Sequence, residues 1–174
     1  MNISTKLILD ILKVLTWVIF IGLCIMTGAI IISTVVTMIN PVASKDIYLG
    51  LDLSEFYAEG LWDYLKMASL IIAVQALKAY MFYLVIKLFS ALDLGQPFTP
   101  SVGTLLIRIS RSALEIGIVA IIGNIYANSY LNAGIRLEHD WEGGPFLFLA
   151  GIIFVIAHIF KRGLELQHDN ELTV

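Results

Sequence analysis

Thirty-one consecutive residues, Val14 to Ser44, carry no charge between Lys13 and Lys45, and Val14 to Ile39 are almost wholly apolar. A hydrocarbon core about 30 Å thick needs roughly 20 helical residues, so this run is long enough to cross with some tilt. A secretory signal is the competing reading, because Val42-Ala43-Ser44 makes a passable cleavage sequence behind a basic start. Signal hydrophobic regions run roughly 7 to 15 residues, and this one is far longer. Composition points the same way: the 174 residues are 59% hydrophobic and 14% charged, against roughly 25% charged for soluble domains. The net charge of −3 argues against direct nucleic-acid binding. A single cysteine, Cys24, excludes an internal disulfide and a cysteine-rich metal site.

Further apolar runs raise the expected number of spans to four, at about 14–39, 67–87, 113–135 and 145–161, in one domain covering 1–174. An outer loop falls at 41–62 and an inner loop at 88–111. With the N-terminus inside, Lys6, Lys13, Lys87, Arg108, Arg111, Lys161 and Arg162 lie on the inner side, and only Lys45, Lys66 and Arg136 on the outer. Basic residues concentrate on the cytoplasmic side of membrane proteins. The expected fold is therefore an all-α integral membrane four-helix bundle in the lipid bilayer, both termini cytoplasmic. Asn40-Pro41 should end the first helix, since proline removes a ladder donor and disfavours helix at the residue before it. Asp52 to Asp63 has the pattern of a short amphipathic helix, with Phe56, Tyr57, Leu61 and Trp62 at headgroup level. Thr99-Pro100 reads as an N-cap followed by proline at the first helical position, so the third long helix should begin there and carry Arg108 and Arg111 into the cytoplasm before entering lipid.

Polar residues inside the spans carry the functional content. Ala113, Gly117, Ala120, Asn124, Ala127 and Asn128 fall within about 100° of arc and should face another helix, because membrane helices associate through small residues and interhelical hydrogen bonds. Ordinary packing accounts for such a stripe; a polar solute path is the other reading. Counted at ~1.5 Å per residue from the inner anchors, Gln75 and Asn124 sit level, and a hydrogen bond between them is expected. Lys78 is the most expensive residue, since a lysine near mid-bilayer costs on the order of 3 kcal/mol. Its Cβ tilts toward the outer end of its helix, so it must bend back to snorkel inward or find an acid. Depth makes Glu115 and His158 the nearest partners for a proton-relaying cluster. The plainer alternative leaves Glu115 to Arg111 four residues before it, in the weaker order for a helical pair.

The sequence has no G-x-S-x-G, phosphate loop or H-E-x-x-H, and nothing pairs a nucleophile with a base, so no enzyme and no cofactor is expected. Glu138-His139-Asp140-Trp141-Glu142 is the densest acidic group, but it lacks metal-ligand spacing and reads as a solvated face.

Two stretches are similar to a known family. Gly95-Gln96-Pro97-Phe98-Thr99-Pro100, and the segment from Phe160-Lys161-Arg162-Gly163 through Glu165-Leu166-Gln167-His168-Asp169-Asn170 to Leu172-Thr173-Val174, resemble the DUF2975 type of small four-helix bacterial membrane proteins of unknown function. The first departs from the family pattern, with Ser101-Val102 where Glu-Asn follows the turn. The resemblance implies a multi-pass protein of the bacterial inner (cytoplasmic) membrane, often encoded beside a small helix-turn-helix regulator. A partner on the inner side would dock on Pro97, Phe98, Arg108, Arg111, Lys161, Arg162, Glu165, Gln167 and Asn170. The expected function is a regulatory or sensory membrane component acting with a cytoplasmic partner. The alternative is a small transporter or channel subunit, built as a homo-oligomer because four helices enclose little water.

Overall fold

The computed structural model describes residues 3–92 and 98–172, with side-chain surroundings for 7–92 and 98–167. Pro97 and the side chain of Asn170 lie outside those residues. The described chain is all-α: α1 (Ile3–Ile39), a 3-10 turn at Pro41–Lys45, α2 (Ser54–Glu59), α3 (Leu61–Ala91), α4 (Pro100–Asn128), a 3-10 turn at Leu131–Ala133 and α5 (Gly143–Leu172). Three stretches are long and apolar enough to cross a membrane: Leu7–Ile39, Leu61–Ala91 and Gly143–Gln167. The helix expected as another span, α4, is not among them, and it ends at Asn128 rather than near 135.

Local chemistry sets the boundaries. α1 stops at Ile39, and Asn40 turns the chain by accepting the Val42 N–H at 3.3 Å. Gly60, at φ +154°, separates α2 from α3, a conformation that a side chain would strain. α4 begins at Pro100 as expected, but Thr99 caps no backbone N–H; its hydroxyl lies 3.1 Å from that of Ser101. The segment between α1 and α3 packs tightly onto the helix ends. Ile47, Leu53 and Phe56 are fully buried together with Tyr64, and the Leu53 N–H donates to the Ser44 carbonyl at 2.8 Å. Phe56 stacks on Tyr130 and Tyr57 on Tyr64. Phe56 is therefore core rather than a headgroup anchor, and Trp62 keeps the exposed position expected of it.

The four long helices pack in chain order, α1 on α3, α3 on α4 and α4 on α5, with no extended interface between α1 and α5. The result is an open row, with α3 and α4 flanked by α1 and α5. Both outer helices have apolar residues around most of their circumference, so lipid can solvate the faces that ring closure would have to bury. For orientation, the end of the row bearing α2 and the α4–α5 connection is called the loop end, and the opposite one the tail end.

Candidate functional site at the loop end of the helix row

Close packing of α4 against α5 positions the site. Gly117 lies against Leu147 and the Gly143 carbonyl, where an added Cβ would come within 2.6 Å of the leucine. Gly123 is covered by the Trp141 indole, which occupies the space a Cβ would take. Ser110 donates its hydroxyl to the Ala150 carbonyl at 3.0 Å in a buried contact. At the tail end Gly103 faces Phe160 and Leu164, and Gly163 faces Phe98, whose ring stacks on Phe160 at 5.0 Å. These contacts fix an antiparallel register: Gly117 beside 143–147, Ser110 beside 150 and Gly103 beside 160–164.

This packing folds the connection to α5 from the loop end back over α4, well inside the row, and delivers Glu142 to Lys78, past the midpoint of α3. The Lys78 Nζ lies 2.5 Å from the Glu142 Oε2 and 5.2 Å from the centroid of Phe146. It is the only ion pair among the described residues that joins separate elements, the other two being i,i+3 pairs. Lys78 is 11% exposed and Glu142 47%, so water screens the acid and the attraction is worth about 1 kcal/mol. Glu142 holds φ +52° just ahead of Gly143, with its N–H donated to the Asp140 carboxylate at 2.9 Å and its carbonyl accepting from Phe146. A cleft of about 290 Å³ opens beside the pair, lined by Ala120, Asn124, His139, Asp140, Trp141 and Glu142 among others. Burial of the His139 imidazole pushes its pKa below the ordinary value and the Lys78 charge adds to this, while Asp140 and Glu142 oppose it. At the start of α3 the Tyr126 hydroxyl donates to Asp63 at 3.1 Å and lies 3.1 Å from the Tyr130 hydroxyl, and Lys66 pairs with the same carboxylate at 3.0 Å.

Several expectations are corrected here. Lys78 meets neither Glu115 nor His158, both of which are exposed; His158 stacks on Phe154 at 4.4 Å. The reason is the lean of the Lys78 Cβ toward the start of α3, which aims the ammonium at the loop end. No hydrogen bond joins Gln75 to Asn124. Gln75 is buried in α3, while Asn124 is exposed and accepts from Asn128, also exposed, at 3.4 Å. The stripe holds for Ala113, Gly117, Ala120 and Ala127, all buried, and fails at its two asparagines. Glu115 forms no ion pair with Arg111.

The expected docking residues divide into two groups. Phe98, Lys161, Arg162, Glu165 and Gln167 are exposed near the tail end, where Arg162 pairs with Glu165 at 2.9 Å. Arg108 and Arg111, expected ahead of the lipid, instead lie beside the apolar part of α5, because the Gly103 and Ser110 contacts bracket or adjoin them. Glu142, Asp63, Tyr126 and Ser110 carry interactions that sequence reasoning did not assign. The lean of Lys78 toward the outer acids was the one available signal for Glu142. The described residues contain no group of three or more metal-ligating side chains placed to hold an ion.

Three helices of membrane-spanning length, a polar network at one end and no strand among the described residues define the class, an α-helical membrane protein. Over residues 52–174, which include all of α2 to α5, the chain matches DUF2975, described as a protein of unknown function, and it belongs to that family. No curated protein and no solved structure matches it.

Proposed function

We propose that the protein is a non-enzymatic regulatory or sensory component of the bacterial cytoplasmic membrane, acting with a soluble partner at its inner face. The observation that carries this reading is the continuity of α5. Its 30 residues, about 45 Å at 1.5 Å per residue, begin beside the Lys78–Glu142 pair and the cleft and run unbroken to a tail end bearing exposed Lys161, Arg162 and Glu165. A ligand or charge change in the cleft acts on the first turn of α5, and a stiff helix carries a shift or rotation to its far end. In this reading α4 is a fourth span and both termini are cytoplasmic, so that Phe98 and the tail face the partner. A helix-turn-helix regulator is the partner that the family resemblance suggests.

The competing reading is a small oligomeric transporter or channel subunit, favoured by the polar cleft reaching Asn124. It needs Lys78, Gln75 and Asn124 along one wet path, and the burial of Gln75, while Asn124 is exposed and bonds to Asn128, argues against that. Affinity capture of the detergent-solubilised protein from its host, alongside flux measurements in liposomes, separates the two. Regulation predicts a stoichiometric soluble partner that is lost when Lys161, Arg162 and Glu165 are replaced by alanine. Solute flux with no such partner reverses the ranking.

A further inference from the structure

Part of the circumference of α4 is covered. Ala113, Ile116, Ala120 and Ala127 are buried in the core, and Gly103, Ser110 and Gly117 pack on α5. Within the open remainder, which also holds the apolar Ile107, Leu114 and Ile121, one face carries charge. Thr104, Arg108, Arg111, Glu115, Ile118, Ile122 and Ile125 are all exposed and fall within about 100° of arc. The register against α5 sets the depth of the charges on this face. Arg108 lies between the Gly103 contact with Phe160 and Leu164 and the Ser110 contact with Ala150. Arg111 follows Ser110 directly, and Glu115 is two residues before Gly117, which touches Leu147. All three therefore stand beside the membrane-spanning part of α5. None of them is in an ion pair among the described residues.

Exposed to lipid, this face would be untenable. The two arginines lean toward the tail end, where long side chains can reach water. Glu115 is short and lies deepest from that end, so it has no such escape. Intramembrane charges pair or face protein. The face also complements itself, since Arg111 and Glu115 are opposite in sign and about 6 Å apart along the axis, with the apolar strip Ile118, Ile122 and Ile125 continuing beyond them.

We infer that this face of α4 is covered by the same face of a second copy of the chain, in a parallel two-fold dimer where Arg111 of each protomer meets Glu115 of the other. Two-fold contacts are isologous, so one pair of residues yields two ion pairs. The inference stands on α5 spanning the bilayer and is independent of the regulatory reading.

The test is disulfide crosslinking of the full chain in native membranes, in a Cys24→Ala background. Ile118→Cys should give a crosslinked dimer at least tenfold more abundant than Val18→Cys on the exposed face of α1. Glu115→Arg should lower the yield at least tenfold, and the double variant Arg111→Glu/Glu115→Arg should restore it. Glu115→Gln, which adds no charge, covers the case in which Glu115→Arg does not insert, and should lower the yield at least threefold. Ile118→Cys crosslinking no better than Val18→Cys, yield indifferent to Glu115→Gln, or a folded charge-swap variant that stays monomeric would each overturn the proposal.

Discussion

α1 and α4 teach opposite lessons about what apolar sequence means in a membrane. α1 carries the longest uncharged run in the chain, yet only 11% of its most apolar stretch is buried. It touches α3 along one side, as where Phe20 meets Tyr83 at 6.0 Å, and leaves Val14, Val18, Ile25 and Ile32 exposed. α4 carries two arginines, a glutamate and two asparagines, and it is the helix held from both sides, by α3 and by α5. Lipid tails solvate leucine as well as a protein interior does, so hydropathy marks what lipid can cover, while small residues and hydroxyls mark where helices meet.

The same substitution on both helices sharpens that contrast most. Gly123→Ala forces the Trp141 indole to move and should cost roughly 1–3 kcal/mol. Gly28→Ala on α1 meets nothing within 4 Å and should be neutral or stabilising by up to about 1 kcal/mol. Thermal unfolding in detergent reads both, and equal losses would break the comparison. Next in size is the link from α3 to the α4–α5 connection. In a double-mutant cycle, Lys78→Met and Glu142→Gln should show a coupling of about 1 kcal/mol, modest because Glu142 is half exposed. Additive effects would mean that the pair does not hold α5 in place.

Hydroxyls give a smaller matched test. Ser110→Ala removes a bond between helices and should cost about 0.6 kcal/mol. Thr27→Ala removes a bond from Thr27 to Leu23 within α1 and should leave the transition within about 0.5 kcal/mol of its starting value. The smallest effect is that of pH at the cleft. The folded-state pKa of His139 lies below its unfolded value of about 6.5. Its contribution to stability is therefore present above that value and declines as pH falls toward the folded pKa. His139→Gln should flatten the melting temperature between about pH 7.5 and 5; an unchanged slope would assign it to other groups.

The start of α4 at Pro100 and the end of α1 at Ile39 were legible because proline and a charge-free run act locally. The buried positions of Ala113, Gly117 and Ala120 were legible from helical periodicity alone. The Lys78 partner was not, since depth counted along separate helices ignores the loop that folds Glu142 back over α4. The position of Arg108 and Arg111 along α5 was not legible for a related reason: sequence gives the start of α4 but not how far α5 slides along it.

By itself, the amino-acid order dictated helices, their spacing and a chain suited to lipid, because backbone groups in hydrocarbon must bond within their own segment and proline, glycine and charge set where each segment stops. Only the tertiary arrangement decided that the row stays open, that Lys78 meets Glu142, and that the α4 charges lie beside the first half of α5. Those outcomes depend on the register between helices, which is fixed by glycine contacts and side-chain lean across positions far apart in the chain.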